Sequence, residues 1–210
     1  MNRNLAYFFS GAFHPLIILT LLFGIAFIFY PFALSNIPDK ARLYFIGVIF
    51  TTTFILPGLA VTMLKTSGLI GSIHMRKRAD RFLPYGVVIL IYGIVAYYLA
   101  WDKEINLVVS SIFYSTLVLL TVMLLITSFF KISMHSAGVC GLLGFVLGLQ
   151  RFFPLDDNFL FLLSGLILAV GAVLTSRLSL NAHTMPEILA GGILGGLITY
   201  FCFYWFLMTI

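Results

Sequence analysis

The stretch Leu107-Val-Val-Ser-Ser-Ile-Phe-Tyr-Ser-Thr-Leu-Val-Leu-Leu-Thr-Val-Met-Leu-Leu-Ile-Thr-Ser-Phe-Phe130 contains no charged residue. A helix needs roughly 20 mostly apolar residues to cross the hydrocarbon core of a bilayer. This run is long enough. Its serines and threonines can return their hydroxyls to the helix's own carbonyls, so a lipid setting costs them little. The stretch reads as a transmembrane helix.

The rest of the chain repeats the pattern. Of 210 residues, 61% are hydrophobic and 9% are charged, against about 25% charged in soluble domains. Seven apolar runs stand out, near 15–34, 43–64, 85–101, 107–130, 136–150, 158–176 and 185–208. The expected fold is an all-α, polytopic transmembrane bundle of six to seven spans, forming one membrane domain over 1–210. The fifth run carries Gly138, Gly141, Gly144 and Gly148, and the last carries Gly191, Gly192, Gly195 and Gly196. Small residues at such spacing let helices approach closely. Pro31, Pro57 and Pro154 mark span ends or kinks, and Tyr97, Tyr98 and Trp101 suit an interfacial belt. Met1 to Pro15 is short and weakly basic, without a small-residue cleavage site after an apolar core, so no removable signal is expected. Cys140 and Cys202 lie inside apolar runs and read as packing residues.

Charge divides unequally between the two faces that seven spans define. The N-terminal face receives Arg3, Lys65, Arg76, Lys77, Arg78, Arg81, Lys131 and Arg177 against Asp80 and Glu187. The opposite face has four cations against five acids. All four histidines also fall on the N-terminal face. The bias alone matches a topology signal that puts this face in the cytoplasm. Single cations beside histidines at helix starts are a different feature, because ionisable groups at membrane depth are costly and usually functional.

Three junctions on this face carry that feature. The first is Met75-Arg-Lys-Arg-Ala-Asp-Arg-Phe-Leu-Pro-Tyr85, in which Pro84 suits a first helical turn and puts Arg81 just ahead of it. The second is Lys131-Ile-Ser-Met-His-Ser-Ala-Gly138, where Ser133 is a candidate N-cap. Its helix N-terminus, with Lys131, favours an anion near His135. The third is Ser176-Arg-Leu-Ser-Leu-Asn-Ala-His-Thr-Met-Pro-Glu187. His183 and Glu187 are four residues apart, which places them on one face if both are helical. The carboxylate can hold one ring nitrogen and leave the other free, as for a histidine base or nucleophile. Pro186 requires this to be the first turn of a helix. Arg177 can fork onto phosphate oxygens.

Together the junctions resemble the signature of the type 2 phosphatidic acid phosphatase superfamily. Ser176-Arg177, His183 and Glu187 match its third motif in spacing, with Glu for the usual Asp. Ile132-Ser133-Met134-His135 is similar to its Pro-Ser-Gly-His motif, keeping Ser and His. The first motif keeps Arg81, while Pro84 lies three residues on and Lys77 stands in for the usual lysine from one turn away. The likeness spans about 76–196. Phe13-His14-Pro15-Leu16 with Asp80-Arg81-Phe82-Leu83-Pro84 is also similar to a divergent Bacteroidetes-type subgroup. Unlike the usual six-span members, this chain has two runs between its first and second motifs.

The resemblance implies a metal-independent, cofactor-free lipid phosphatase of a bacterial inner membrane. In it His183 is the nucleophile that becomes a phosphohistidine, Glu187 orients it and His135 is the general acid. Arg81, Arg177, Lys131, Ser133 and Lys77 would hold the phosphate. Asp80 and Glu187 are the only carboxylates on that face, too few for an octahedral oxygen site. The implied partners are a lipid phosphate or polyprenyl diphosphate and membrane lipids, with no nucleic acid. The resemblance points to an extracytoplasmic site and the basic excess to a cytoplasmic one. A transporter or flippase of an anionic lipid or small anion would use the same cations without an oriented nucleophile. A lipid phosphotransferase would replace water by an alcohol.

Overall fold

A computed structural model describes residues 1–72, 78–101, 107–155 and 158–209, with backbone alone at 100 and 101. Lys77, with Arg76 and His74, therefore lies outside the described residues. All regular elements among those described are helical: α1 (Arg3–Ala12), α2 (Ile18–Phe29), α3 (Asp39–Phe50), α4 (Leu56–Thr66), α5 (Ala79–Trp101), α6 (Leu107–Thr127), α7 (Met134–Phe152), α8 (Phe159–Ser179) and α9 (Met185–Thr209), with short 3-10 turns and one π turn between them. α1 and α2 follow each other around the turn Pro15–Ile17, and α3 and α4 join through the π turn, so the nine helices form seven rods. Six candidate spans are long and apolar enough to cross a membrane. The protein is thus an all-α bundle suited to multi-pass membrane insertion.

The bundle is built around α7. Gly141, Gly144 and Gly148 face α9, as their spacing predicts, while Gly138 meets Ile18 and Pro15. A Cβ on Gly191 would lie 2.5 Å from the Ser133 carbonyl oxygen, and one on Gly148 would lie 2.6 Å from the Phe203 ring. Cβ atoms on Gly144 and Gly195 would strike backbone atoms of Gly196 and Ala137. Such close backbones gain dispersion contacts that lipid cannot match. Thr199 sits in the seam, its Oγ1–H shared between the Gly195 carbonyl of its own helix at 2.8 Å and the Gly141 carbonyl of α7 at 3.0 Å. The fifth rod is longer than its apolar run, because Ser133 caps it at one end and Arg151 sits in its last turn at the other.

Two prolines shape the rods. Pro57 has no N–H to give the carbonyl of Thr53, and the chain passes through the π turn Thr51–Ile55 just before it. The orphaned carbonyl accepts instead from the Tyr92 hydroxyl at 3.2 Å. Pro84 lies inside α5, which starts at Ala79 rather than at 85 as the sequence reading expects. Pro84 is the sixth residue of the helix, one turn in, where its missing N–H leaves the Asp80 carbonyl without its helical donor. Arg81 sits within the first turn instead of ahead of it.

The first span also differs from expectation. Met1–Pro15 is not a simple lead. Asn2 caps α1 by accepting the Asn4 N–H at 3.1 Å, and the apolar candidate span runs Arg3–Phe29. The break falls at Phe13-His14, because the residue before a proline is driven to extended backbone; His14 has φ −62° and ψ 137°.

Candidate active site

The three charged junctions meet at one end of the bundle and are laced together by cations on backbone carbonyls. Arg81 donates Nη1–H to the Ile132 carbonyl at 2.9 Å, and Arg78 reaches the Ser128 carbonyl at 3.4 Å. Lys131 donates to the Ala182 carbonyl at 3.1 Å. The Ser133 N–H donates to the Glu187 carbonyl at 3.2 Å. Helix C-termini and turns leave carbonyls unpaired, so the cations satisfy the loops while holding them in register.

His183 lies just ahead of α9 and not on it, a correction to the helical-face reading. The chain leaves α8 through Asn181, whose φ of 50° is left-handed, a conformation that Asn tolerates better than most residues. Glu187 then does two things from the first turn of α9. Its Oε2 accepts from the Thr184 N–H at 3.3 Å, the carboxylate half of a capping box. The same oxygen accepts from His183 Nδ1–H at 2.6 Å. Pro186 occupies the second helical position, where its missing N–H costs nothing. A carboxylate can only accept, so the neutral ring carries its proton on Nδ1 and Nε2 keeps its lone pair. Burial pushes the imidazole down to about 4 despite the opposing hydrogen bond and charge of Glu187; Arg81 and Lys131 add to the lowering.

His135 is in the first turn of α7 and is oriented differently. Its Nε2 lies 3.2 Å from the carbonyl oxygen of Ser10. That carbonyl is among the last of α1, where no helical N–H follows to take it. It too can only accept, so His135 donates Nε2–H and the neutral ring keeps its lone pair on Nδ1. The Ser10 hydroxyl meanwhile accepts Arg177 Nη1–H at 3.2 Å and lies 2.9 Å from Ser176 Oγ. Because Ser176 gives its own proton to the Val173 carbonyl at 2.7 Å, the proton between the two serines comes from Ser10. Arg177 Nε is buried with no hydrogen-bond partner among the described residues, and such a group demands an explanation.

These side chains share a cavity of about 530 Å³, within the usual range for ligand pockets. Arg81, Arg177, His14, His135 and His183 line its polar part, and Leu19, Val88, Tyr92, Leu120 and Phe145 line an apolar shaft. Tyr92 is eleven residues beyond Arg81 on α5, so at 1.5 Å per residue the shaft runs about 16 Å along that helix. Arg81 is 6% exposed, and Tyr85 hydrogen-bonds to it from the next turn.

Of the residues expected at the site, His183, His135, Arg81 and Arg177 are brought to the cavity. Glu187 stands behind His183. Lys131 and Ser133 do not line the cavity: Lys131 ties down the loop before His183, and Ser133 is fully buried, its Oγ accepting the Ser136 N–H at 3.3 Å as the cap of α7. Ser133 is thus occupied by its own helix end, and its role as a phosphate ligand is not supported by the geometry. Sequence reasoning did not assign Ser10, Tyr85 or His14 to the site. The local signal available was the break Phe13-His14-Pro15, which sets a histidine on a fixed turn. Comparison with protein-family models, with curated proteins and with solved structures returned no match.

Proposed function

We propose that this protein is an integral membrane phosphatase that hydrolyses a lipid phosphate or polyprenyl diphosphate through a phosphohistidine intermediate. The observation that carries the reading is His183. Its Nδ1–H is fixed on Glu187 at 2.6 Å, its Nε2 is left as a nucleophile, and the two guanidinium side chains of Arg81 and Arg177 line the same cavity. The orphaned Nε–H of Arg177 supports an anionic oxygen as ligand. The apolar shaft supports an amphipathic substrate whose chain lies among the helices.

The chemistry follows from the donors. His183 Nε2 attacks phosphorus, and the bond from phosphorus to the leaving oxygen breaks. His135, protonated on Nδ1 while Nε2–H stays on the Ser10 carbonyl, gives its proton to that oxygen. The ring of His183 becomes cationic as the bond to phosphorus forms, and Glu187 stabilises that charge. Water then attacks the phosphohistidine with His135 accepting its proton, the bond between nitrogen and phosphorus breaks, and inorganic phosphate leaves. General acid–base assistance of this kind is worth about 10²–10⁴ in rate. The rest is positioning and charge stabilisation, which dominate phosphoryl transfer.

The test is inorganic phosphate release by purified protein in detergent from a panel of lipid phosphates and diphosphates, with His183→Ala as control. Release by the wild type that vanishes in a folded His183→Ala variant is the expected result. Release unaffected by the substitution would sink the mechanism.

A further inference from the structure

His14 takes no part in the reaction described so far, yet it lines the same cavity as His135, His183 and Arg177. Its position is set by local chemistry. Pro15 drives it to extended backbone, and its Nδ1 accepts the Leu16 N–H at 3.3 Å to cap the following turn. That bond uses the Nδ1 lone pair, so the neutral ring holds its proton on Nε2. Nε2 makes no hydrogen bond to any described residue. The ring is held edge-on between two others, 6.2 Å from Phe54 and 5.4 Å from His135 by centroid. The segment is seated against α7, where a Cβ on Gly138 would meet the Pro15 Cα at 3.6 Å. An N–H donor is therefore fixed beside the general acid with no acceptor among the described residues.

An in-line displacement places nucleophile and leaving group on opposite sides of phosphorus. A donor next to His135, the group that protonates the leaving oxygen, belongs to the leaving side. We propose that His14 is a third catalytic imidazole, donating Nε2–H to the leaving-group oxygens of the substrate beside His135. This rests on the phosphatase reading given above.

Asn and Ser are stronger N-caps than His, so His14→Asn and His14→Ser keep the turn and remove the ring. Both variants and the wild type are assayed for phosphate release from p-nitrophenyl phosphate and from a long-chain alkyl phosphate, with melting in detergent measured alongside. The aryl leaving group departs without help; the alkoxide needs a donor. The expected result is unchanged melting, a kcat for the alkyl ester reduced about ten- to a hundredfold, as for loss of one charge-assisted hydrogen bond, and a much smaller loss for the aryl ester. Equal losses on both esters, or none, would overturn the assignment and leave His14 as a cap. A wild type that releases phosphate from neither ester overturns the phosphatase reading itself and this inference with it, an outcome distinct from an active wild type with indifferent variants.

Discussion

Two imidazoles face one cavity and are held by different acceptors. His183 gives its Nδ1–H to a carboxylate at 2.6 Å, and His135 gives its Nε2–H to a backbone carbonyl at 3.2 Å. A carboxylate carries a full charge and stabilises a ring that becomes cationic. A carbonyl dipole fixes orientation and adds no full charge, so Nδ1 alone is left to exchange a proton. The first suits an atom that bonds to phosphorus, the second an acid that shuttles. The partners also differ in reach. Glu187 is four residues from His183, whereas Ser10 is 125 residues from His135. One orientation comes with the local turn, and the other exists only when α1 has docked.

The contrast breaks most sharply at Glu187. Glu187→Gln keeps the shape and removes the charge, and kcat is expected to fall on the order of 10³-fold or more, as when an orienting acid is neutralised. Glu187→Asp keeps the charge and shortens the reach, so that one oxygen no longer spans both His183 and the Thr184 N–H; an intermediate loss is expected. If Asp loses more than Gln, capping geometry rather than charge is what the site needs. Steady-state kinetics on folded variants decide it.

The pH profile sharpens the same point. As the proposed nucleophile, His183 would attack only when neutral, so the rate should fall as pH drops through its pKa. Burial has pushed that value to about 4, and the acid limb of kcat/KM is expected near there instead of near the 6.5 of a free imidazole. Glu187 works against the lowering, so Glu187→Gln should move the limb to still lower pH. Stability follows the linkage. The unfolded chain takes up this proton near 6.5 and the folded one only near 4, so the fold loses stability as pH falls across that window. A limb that stays near 6.5 contradicts the buried, neutral ring.

Lys131 probes how the His183 loop is kept. Its ammonium reaches the Ala182 carbonyl next to the histidine. Lys131→Met removes that tie while keeping the stem, and about a tenfold fall in kcat is expected, the lower range for a lost charge-assisted hydrogen bond. A rise in KM alone would instead make Lys131 a substrate ligand.

The difference in reach also governs what the sequence could say. The apolar runs, the glycine seam of α7 and α9, the Ser133 cap and the His183–Glu187 pair all rest on contacts within a turn or two, or on period and spacing. They are readable without coordinates. The helical placement of His183 fails because Thr184 takes the cap and pushes the histidine outside, a choice between adjacent residues that spacing does not resolve. Ser133 reads as a cap whose neighbouring N–H groups hold phosphate; that its own N–H is taken by the Glu187 carbonyl shows only in the folded chain. The Ser10 hub is beyond sequence reasoning altogether. A serine in the last turn of a short helix has no pattern of its own, and its carbonyl and hydroxyl gain meaning only when α1 packs on α8 and meets α7.

Ser10 also offers the finest cut between the two regions, because its two polar groups serve different residues. Ser10→Ala deletes the hydroxyl that takes Arg177 Nη1–H and keeps the carbonyl that takes His135 Nε2–H. A hydrogen bond from a charged donor is worth about 1.5 kcal/mol at the low end, so KM should rise about tenfold through a less constrained Arg177, with kcat within a factor of two. Ser10→Thr restores the hydroxyl and should restore KM. If kcat falls along with the rise in KM, the methyl has shifted α1 on α8 and taken the carbonyl from His135. The phosphate clamp and the general acid would then be one mechanical unit, and the orientation of His135 would depend on the Ser10–Ser176 contact as much as that of His183 depends on its carboxylate.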